Sequence, residues 1–148
     1  MYKKGVYAGT FGPLHEGHKE VIRQAMKVVR HLTIGIMDTH IARKKTKGTN
    51  QRMPSYGKRY LAVKAFMKDE FPNRYDITTV FDGIKDGMDF DGQVMVISHE
   101  NSVIVRALEI NDLRREAGLH EFVILVVPMV RDEDGLLSST RIRESEIK

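Results

Sequence analysis

Apolar positions along this chain follow two periods, which together predict alternating strands and helices. Runs typical of strands cover residues 6–8, 32–37, 75–80, 94–97 and 122–127. The fourth and fifth runs are almost entirely apolar, as in strands that are buried on both faces of a sheet. We therefore expect about five strands.

Helical spacing connects these strands. The stripe of a first helix, beginning near Gly17, consists of Val21, Ile22, Ala25, Met26 and Val29. A second helix is predicted to begin near Ser55, which follows Pro54 as an N-cap, and a third covers residues 102–117. A short helix over residues 138–147 closes the chain. The basic stretch up to Asn50 and the acidic residues 81–92 lack a helical period, so we predict loops there.

The order of these elements predicts the fold class. Strands that alternate with helices favour an α/β protein with a parallel sheet and helices on both faces. We expect one Rossmann-like domain over residues 1–148, without repeats or a linker. Ligands of such open sheets bind at the carboxyl ends of the strands, where the strand order reverses. The loop after the first strand is therefore the first candidate site.

Composition and charge narrow the function classes. The 148 residues include no cysteine, which excludes disulfides, thiolate nucleophiles and cysteine-based metal sites. No apolar run approaches the ~20 residues of a membrane span, and we expect a cytoplasmic protein. The net charge of +4 hides an asymmetry, because residues 39–68 carry nine bases and no acid, whereas residues 69–100 carry eight acids. The basic segment favours an anionic ligand or a solvated face, and no pattern supports binding to nucleic acid.

The loop over residues 9–18 carries the densest candidate chemistry. Gly9 ends the first strand and lets a ligand approach the backbone, and Thr10 offers a hydroxyl group. His15 and His18 lie three residues apart at the start of a helix, so both rings can face one point. With the first-turn N–H groups they predict a site for a phosphate that gains charge in a transition state. Zinc ligation by the two histidines is the alternative, although no third ligand is evident nearby.

A second motif lies near the end of the chain. Three hydroxyl residues precede a basic helix, where they supply an N-cap and further donors, and two arginines add guanidinium groups for polyphosphate oxygens. Alone, such a segment is typical of a capped helix. The residues of this late motif are Ser138, Ser139, Thr140, Arg141 and Arg143.

Together the two motifs resemble the nucleotidyltransferase superfamily with a Gly-Thr-Phe-Asp-x-x-His-x-Gly-His loop and a late Ile-Ser-Ser-Thr-x-Ile-Arg segment. Within it the chain is most similar to the archaeal/eukaryotic-type phosphopantetheine adenylyltransferases, most densely over residues 96–100, 107–119 and 126–143. The family carries Asp after Gly-Thr-Phe, whereas this chain has Gly12. Loss of that carboxylate is expected to alter the hydrogen bonds of the loop.

The resemblance implies a reaction and residues that perform it. The family transfers AMP from ATP to 4′-phosphopantetheine with Mg²⁺, giving dephospho-coenzyme A and pyrophosphate. His15 and His18 would hold the α- and β-phosphates, with His18 stabilising the transition state. Thr10 would contact the acceptor phosphate or the α-phosphate. Lys45 as a catalytic cation, or Lys44 as a substrate-binding one, would close over the triphosphate, unless both lie on a solvated loop.

The same resemblance implies a nucleotide pocket. Residues at the end of the fourth strand would line it, and the late motif would grip the β- and γ-phosphates. Its residues are Gly9, Thr10, Phe11, Gly17, Ser98, Glu100, Ser138, Ser139, Thr140 and Arg141. The protein itself is expected to supply no metal ligands. Asn111, within the matching segment, is either structural or a ribose contact.

Three alternatives to this function stay open at the level of sequence. Two are enzymes: a nicotinamide mononucleotide adenylyltransferase and a cytidylyltransferase of a small phosphorylated substrate. The third is a nucleotide-binding sensor without turnover, which Gly12 keeps under consideration. All three take small molecules, and neither a nucleic-acid nor a membrane partner is expected. A homo-oligomer is left open.

Overall fold

The computed structural model describes residues 1–45, 52–128, 131–132 and 135–136. Its strands and helices alternate along most of the chain. The strands are β1 (Tyr2–Gly9), β2 (Val29–Met37), β3 (Tyr75–Val80), β4 (Val94–Ser98), β5 (Val123–Val127), β6 (Arg131–Asp132) and β7 (Gly135–Leu136). The helices are α1 (Glu16–Ala25), α2 (Thr39–Lys45), α3 (Tyr56–Glu70), α4 (Gly83–Asp89) and α5 (Asn101–Glu116).

Five strands form one parallel sheet in the order β3-β2-β1-β4-β5. The register places Tyr7 of β1 between Ile34 of β2 and Val96 of β4. From β1 the chain moves outward through β2 to β3, then returns to the other side for β4 and β5. The strand order therefore reverses between β1 and β4. This arrangement confirms the predicted α/β class.

Helices cover the two faces of the sheet differently. Tyr7, Ile34 and Val96 point into a core that also contains residues of α1 and α3. The two helices also contact each other: the Arg23 guanidinium of α1 lies 5.4 Å from the centroid of the Phe66 ring of α3. Since side chains alternate along a strand, the neighbours of these core residues face the other side. On that second face α4 and α5 wall a cleft.

Two segments predicted to be loops form short helices. In the basic stretch, the Asp38 carboxylate caps α2 by accepting a hydrogen bond from the Ile41 N–H at 2.8 Å. In the acidic stretch, Asp82 accepts from the N–H groups of Ile84 and Lys85, at 3.0 and 3.1 Å. The loop predictions were wrong over α2 and α4, because caps, which periodicity does not detect, stabilise these helices. Residues 46–51 of the basic stretch lie outside the described residues.

Smaller differences occur at the element ends. Val29, assigned by its spacing to the first helix, instead begins β2 opposite Tyr2. The short antiparallel pair β6–β7 was not predicted. The helix predicted over residues 138–147 lies outside the described residues. Within the described part of the chain, no helix is long and apolar enough to cross a membrane.

Candidate active site

A cleft of about 800 Å³ opens at the carboxyl end of the sheet, beside the reversal of strand order. It receives residues from the ends of β1 to β4 and from α4 and α5. The site residues predicted from sequence that line it together are Gly9, Thr10, His15, His18, Ser98 and Glu100. The loop over residues 9–18 therefore meets the end of β4, although some eighty residues separate them in sequence. They meet where ligands of open sheets are expected to bind.

His15 and His18 form the first turn of α1 in an unusual way. His15 is the N-cap, and its Nδ1 accepts a hydrogen bond from the Gly17 N–H at 3.0 Å. His18 returns toward the cap, where its Nδ1 accepts from the His15 N–H at 3.3 Å. This is the reciprocal geometry of a capping box, built here from imidazoles. The two rings stack, with centroids 3.9 Å apart.

These hydrogen bonds determine the tautomer of both rings. A backbone N–H only donates, so each Nδ1 carries a lone pair and the proton of the neutral ring lies on Nε2. Both side chains are buried at the edge of the cleft, with 6% and 9% of their surface exposed. The His15 Nε2 itself is buried. That the pair presents two N–H donors to one anion stays a prediction.

Phe11 supports this pair from behind. The ring is fully buried and packs edge-on against Tyr7 and His18, with centroid distances of 5.4 and 4.9 Å. Its φ of 50° lies in the left-handed region, which is uncommon for a bulky residue and needs support from the surroundings. Phe11 and Gly17 do not appear among the residues that line the cleft. Their predicted contacts with the nucleotide stay predictions.

Tyr7 and Glu100 add an electrostatic feature to the cleft lining. Burial raises the pKa of the Tyr7 phenol, and the Glu100 carboxylate raises it further. The phenol therefore stays neutral in its buried position.

The structure says less about the other predicted cations and hydrogen-bond donors of the site. Lys44 lies exposed on α2, a helix that reaches the cleft through Ile41. The backbone of Lys45 ends α2, and its side chain is not described. The late motif lies outside the described residues, including Ser138, Ser139, Thr140 and Arg141.

Sequence reasoning missed one buried cation at the site. Arg59 of α3 is 1% exposed and donates hydrogen bonds to the backbone carbonyls of Thr10 and Met37, at 2.9 and 2.7 Å. Burial lowers the pKa of this guanidinium. No signal in the sequence distinguishes Arg59 from the eight other bases of its segment.

Metal binding by the two histidines finds no support in the donor set. Among the described residues, no group of three His, Asp or Glu side chains is arranged to hold a metal ion. Structural and catalytic zinc sites use at least three protein ligands. The zinc alternative therefore lacks its third ligand in this part of the chain.

The similarity of the whole chain to known proteins decides the family. A family model described as cytidylyltransferase-like matches residues 6–145, nearly the full length. The chain belongs to the cytidylyltransferase-like family. The phosphopantetheine adenylyltransferase of Archaeoglobus fulgidus is 34% identical over 146 residues, which are 97% of this chain and 95% of that protein. The resemblance stated from the motifs is thereby confirmed.

Two solved structures are similar to this chain in fold. A protein of unknown function from Archaeoglobus fulgidus is similar with a TM-score of 0.73 and 30% identity, over 84% of this chain and 88% of that one. A bifunctional NMN adenylyltransferase/ADP ribose pyrophosphatase from Francisella tularensis has a TM-score of 0.66 at 15% identity, over 98% of this chain and 42% of that one. The second likeness concerns the fold alone.

Proposed function

We propose that this protein transfers the AMP group of ATP to 4′-phosphopantetheine, giving dephospho-coenzyme A and pyrophosphate. The observation that carries the proposal is the stacked pair His15–His18 at the reversal of strand order. It occurs in a chain that is similar over nearly its full length to an archaeal phosphopantetheine adenylyltransferase. We place the reaction in the cytoplasm, in keeping with a chain that has no cysteine.

The chemistry needs positioning and charge stabilisation more than an activated nucleophile. An oxygen of the acceptor phosphate attacks the α-phosphorus of ATP, a new P–O bond forms, and the bond to the β-phosphate oxygen breaks as pyrophosphate leaves. Negative charge accumulates on the oxygens around the α-phosphorus. The Nε2–H groups of His18 and His15 donate to these oxygens, with both rings oriented by their Nδ1 hydrogen bonds. The His15 Nε2 is buried in this structure, so its donation requires a movement that exposes it.

The strand order suggests how the two substrates divide the cleft. Ser98 ends β4 and Glu100 follows it on one side of the histidine pair, whereas α2 with Lys44 follows β2 on the other. ATP therefore lies on the β4 side and the acceptor on the side of β2 and β3. There the floor is made of small side chains, because Ala8 and Gly35 pair across β1 and β2. Such a floor leaves room for the pantetheine arm.

Mg²⁺ enters this proposal as part of the substrate. The described residues offer no cluster of carboxylates or imidazoles that would hold a resident ion. Mg²⁺ in phosphoryl-transfer sites is held largely by substrate phosphates and water. We expect it to arrive with ATP and to neutralise the leaving pyrophosphate. The contacts of Lys45 and of the late motif, including Ser139 and Arg141, with the triphosphate stay predictions.

Pyrophosphate release across a panel of substrates tests the proposal. ATP and CTP would each be combined with 4′-phosphopantetheine, nicotinamide mononucleotide and glycerol 3-phosphate, in the presence of Mg²⁺. We expect release only with ATP and 4′-phosphopantetheine. Faster release with another pair would assign the protein to one of the two alternative enzymes. Binding of ATP without release from any pair would favour the sensor.

Enlarging Ala8 tests the proposed place of the acceptor. Ala8 is exposed within the cleft, so Ala8→Leu adds volume to the floor with little effect on folding. We expect the KM for 4′-phosphopantetheine to rise by ~10-fold or more, with a smaller change in the KM for ATP. The larger side chain would obstruct binding of the acceptor in the ground state, and such a loss acts mainly on KM. Initial rates at varied acceptor concentration measure this effect.

Lys3→Leu is the matched control for this substitution. Lys3 is exposed on the same strand and does not line the cleft, so both KM values should stay near those of the wild type. A rise in the KM for ATP alone after Ala8→Leu would reverse the assignment of the two sides.

A further inference from the structure

One buried side chain ties together four segments around the candidate site. The Arg59 guanidinium donates from Nη1 to the carbonyl of Thr10, which directly follows β1, and to that of Met37, the last residue of β2. Its Nη2 donates to the Thr39 hydroxyl at 3.2 Å, and its Nε donates to the Pro54 carbonyl at 3.0 Å. A planar group with donors in a fixed fork is suited to holding several oxygens in one arrangement.

The partners of Arg59 are unusual for a buried charge. All four hydrogen bonds recorded among the described residues go to neutral oxygens. Gly12 lies beside this guanidinium. A Cβ atom added to Gly12 would lie 3.2 Å from the Arg59 Cδ and 2.5 Å from the Met53 Sδ. The thioether of Met53 thus occupies the space next to Arg59 that a side chain at position 12 would need.

The hydrogen bond to Thr10 connects Arg59 to the histidine pair. Thr10 directly precedes Phe11, whose positive φ is sustained only if the neighbouring backbone is held in place. The Phe11 ring in turn packs against His18 at a centroid distance of 4.9 Å. A shift of the Thr10 carbonyl would therefore move Phe11, and with it the surface on which the His18 ring rests.

We propose that Arg59 is a positioning residue for His18, which it holds in place through Thr10 and Phe11. The loop is thus held by hydrogen bonds from Arg59 to backbone carbonyls, with the Met53 thioether packed beside Gly12. The proposal rests on the proposed function only for its effect on turnover. Its structural part concerns the loop of residues 9–18 and is independent of the substrate.

The first test compares two arginine-to-lysine variants. Arg59→Lys keeps the positive charge but cannot reach four separate oxygens from one ammonium group. The matched control is Arg74→Lys, because Arg74 donates to the carbonyls of Met26, Val29 and Arg30 at the opposite edge of the sheet. We expect both variants to lower the melting temperature. Only Arg59→Lys should shift the ¹⁵N resonances of the His18 ring in an NMR spectrum of the protein without substrate.

The kinetic readout separates positioning from folding. With both variants assayed well below their melting temperatures, Arg59→Lys should lower kcat by ~10-fold or more with little change in the KM for ATP, because misplaced transition-state donors act on kcat. Arg74→Lys should leave kcat within a few-fold of the wild type. Unchanged His18 resonances in Arg59→Lys, or equal losses of kcat in both variants, would overturn the proposal.

A second experiment needs neither activity nor Arg59 variants. Gly12→Asp alone should lower the melting temperature because its Cβ collides with the Met53 thioether. Met53→Ala removes that obstacle, so the double variant should be more stable than the sum of the single effects, with the new carboxylate paired to Arg59. Additive effects would contradict the role assigned to Met53. If the wild type released no pyrophosphate, the proposed function would fail. The role of Arg59 would still be decided by the His18 resonances and by the melting temperatures of the Gly12→Asp, Met53→Ala and double variants.

Discussion

His18→Ala is expected to lower kcat by ~10²-fold or more, the usual effect of losing one preorganised donor to transition-state charge. The ring lines the cleft, and its Nδ1 accepts a hydrogen bond from the His15 N–H, which fixes the orientation of the ring. We expect the KM for ATP to change much less, because the interaction strengthens as charge develops. Pyrophosphate release at saturating substrates measures the effect.

A histidine elsewhere in the fold supplies the control for His18→Ala. His31 lies near the opposite end of β2, where its ring contacts the Asp76 carboxylate at 2.6 Å. His31→Ala should keep kcat within a few-fold of the wild type. Thermal melts of both variants are needed, since His18 also caps α1. A well-folded His18→Ala protein with near wild-type kcat would remove the histidine pair from the mechanism.

Much of the fold could be predicted because the sheet is covered on both sides. The run over residues 94–97 is apolar because α1 covers one face of β4 and α5 packs on the other. The helix that carries His18 showed its stripe because Val21 and Ile22 are fully buried. In both cases burial requires an apolar residue at each inward position, so periodicity records the structure.

A helix with no buried face shows no apolar periodicity in the sequence. The helix α4 contains no buried residue, and the carboxylates of Asp82 and Asp86 accept hydrogen bonds from N–H groups at its N-terminal end. The only cue was the pair of acids four residues apart. Charged residues of this kind are equally typical of a loop, and the prediction of a loop followed from that ambiguity.

The candidate site was predictable only where its chemistry resides in side chains. His15 and His18 were found because two imidazoles at this spacing are informative by themselves. Arg59 was not, since Thr10, Met37 and Pro54 accept through backbone carbonyls, which every residue possesses. When an arginine binds backbone carbonyls of residues distant in sequence, no partner residue type in the sequence indicates the contact.

Asn111 illustrates the same limit and leads to a stability prediction. Its side chain is buried in α5, where the amide donates to the Phe122 carbonyl at 3.0 Å and its oxygen accepts from the Phe122 N–H at 2.7 Å. It thus satisfies both backbone groups of the residue that leads into β5. Asn111→Ala leaves these groups without their partner, at a cost of about 1–3 kcal/mol for each buried group.

We therefore expect Asn111→Ala to lower the free energy of unfolding by about 2–4 kcal/mol in a urea titration. The kcat per folded molecule and the KM for ATP should stay near the wild-type values. Asp112→Ala is the matched control, because Asp112 is exposed on the same helix and pairs only with exposed groups such as Arg115. Its effect on stability should be much smaller. A raised KM for ATP in a fully stable Asn111→Ala protein would instead make Asn111 a ribose contact, since a ligand-binding side chain can be removed without loss of the fold.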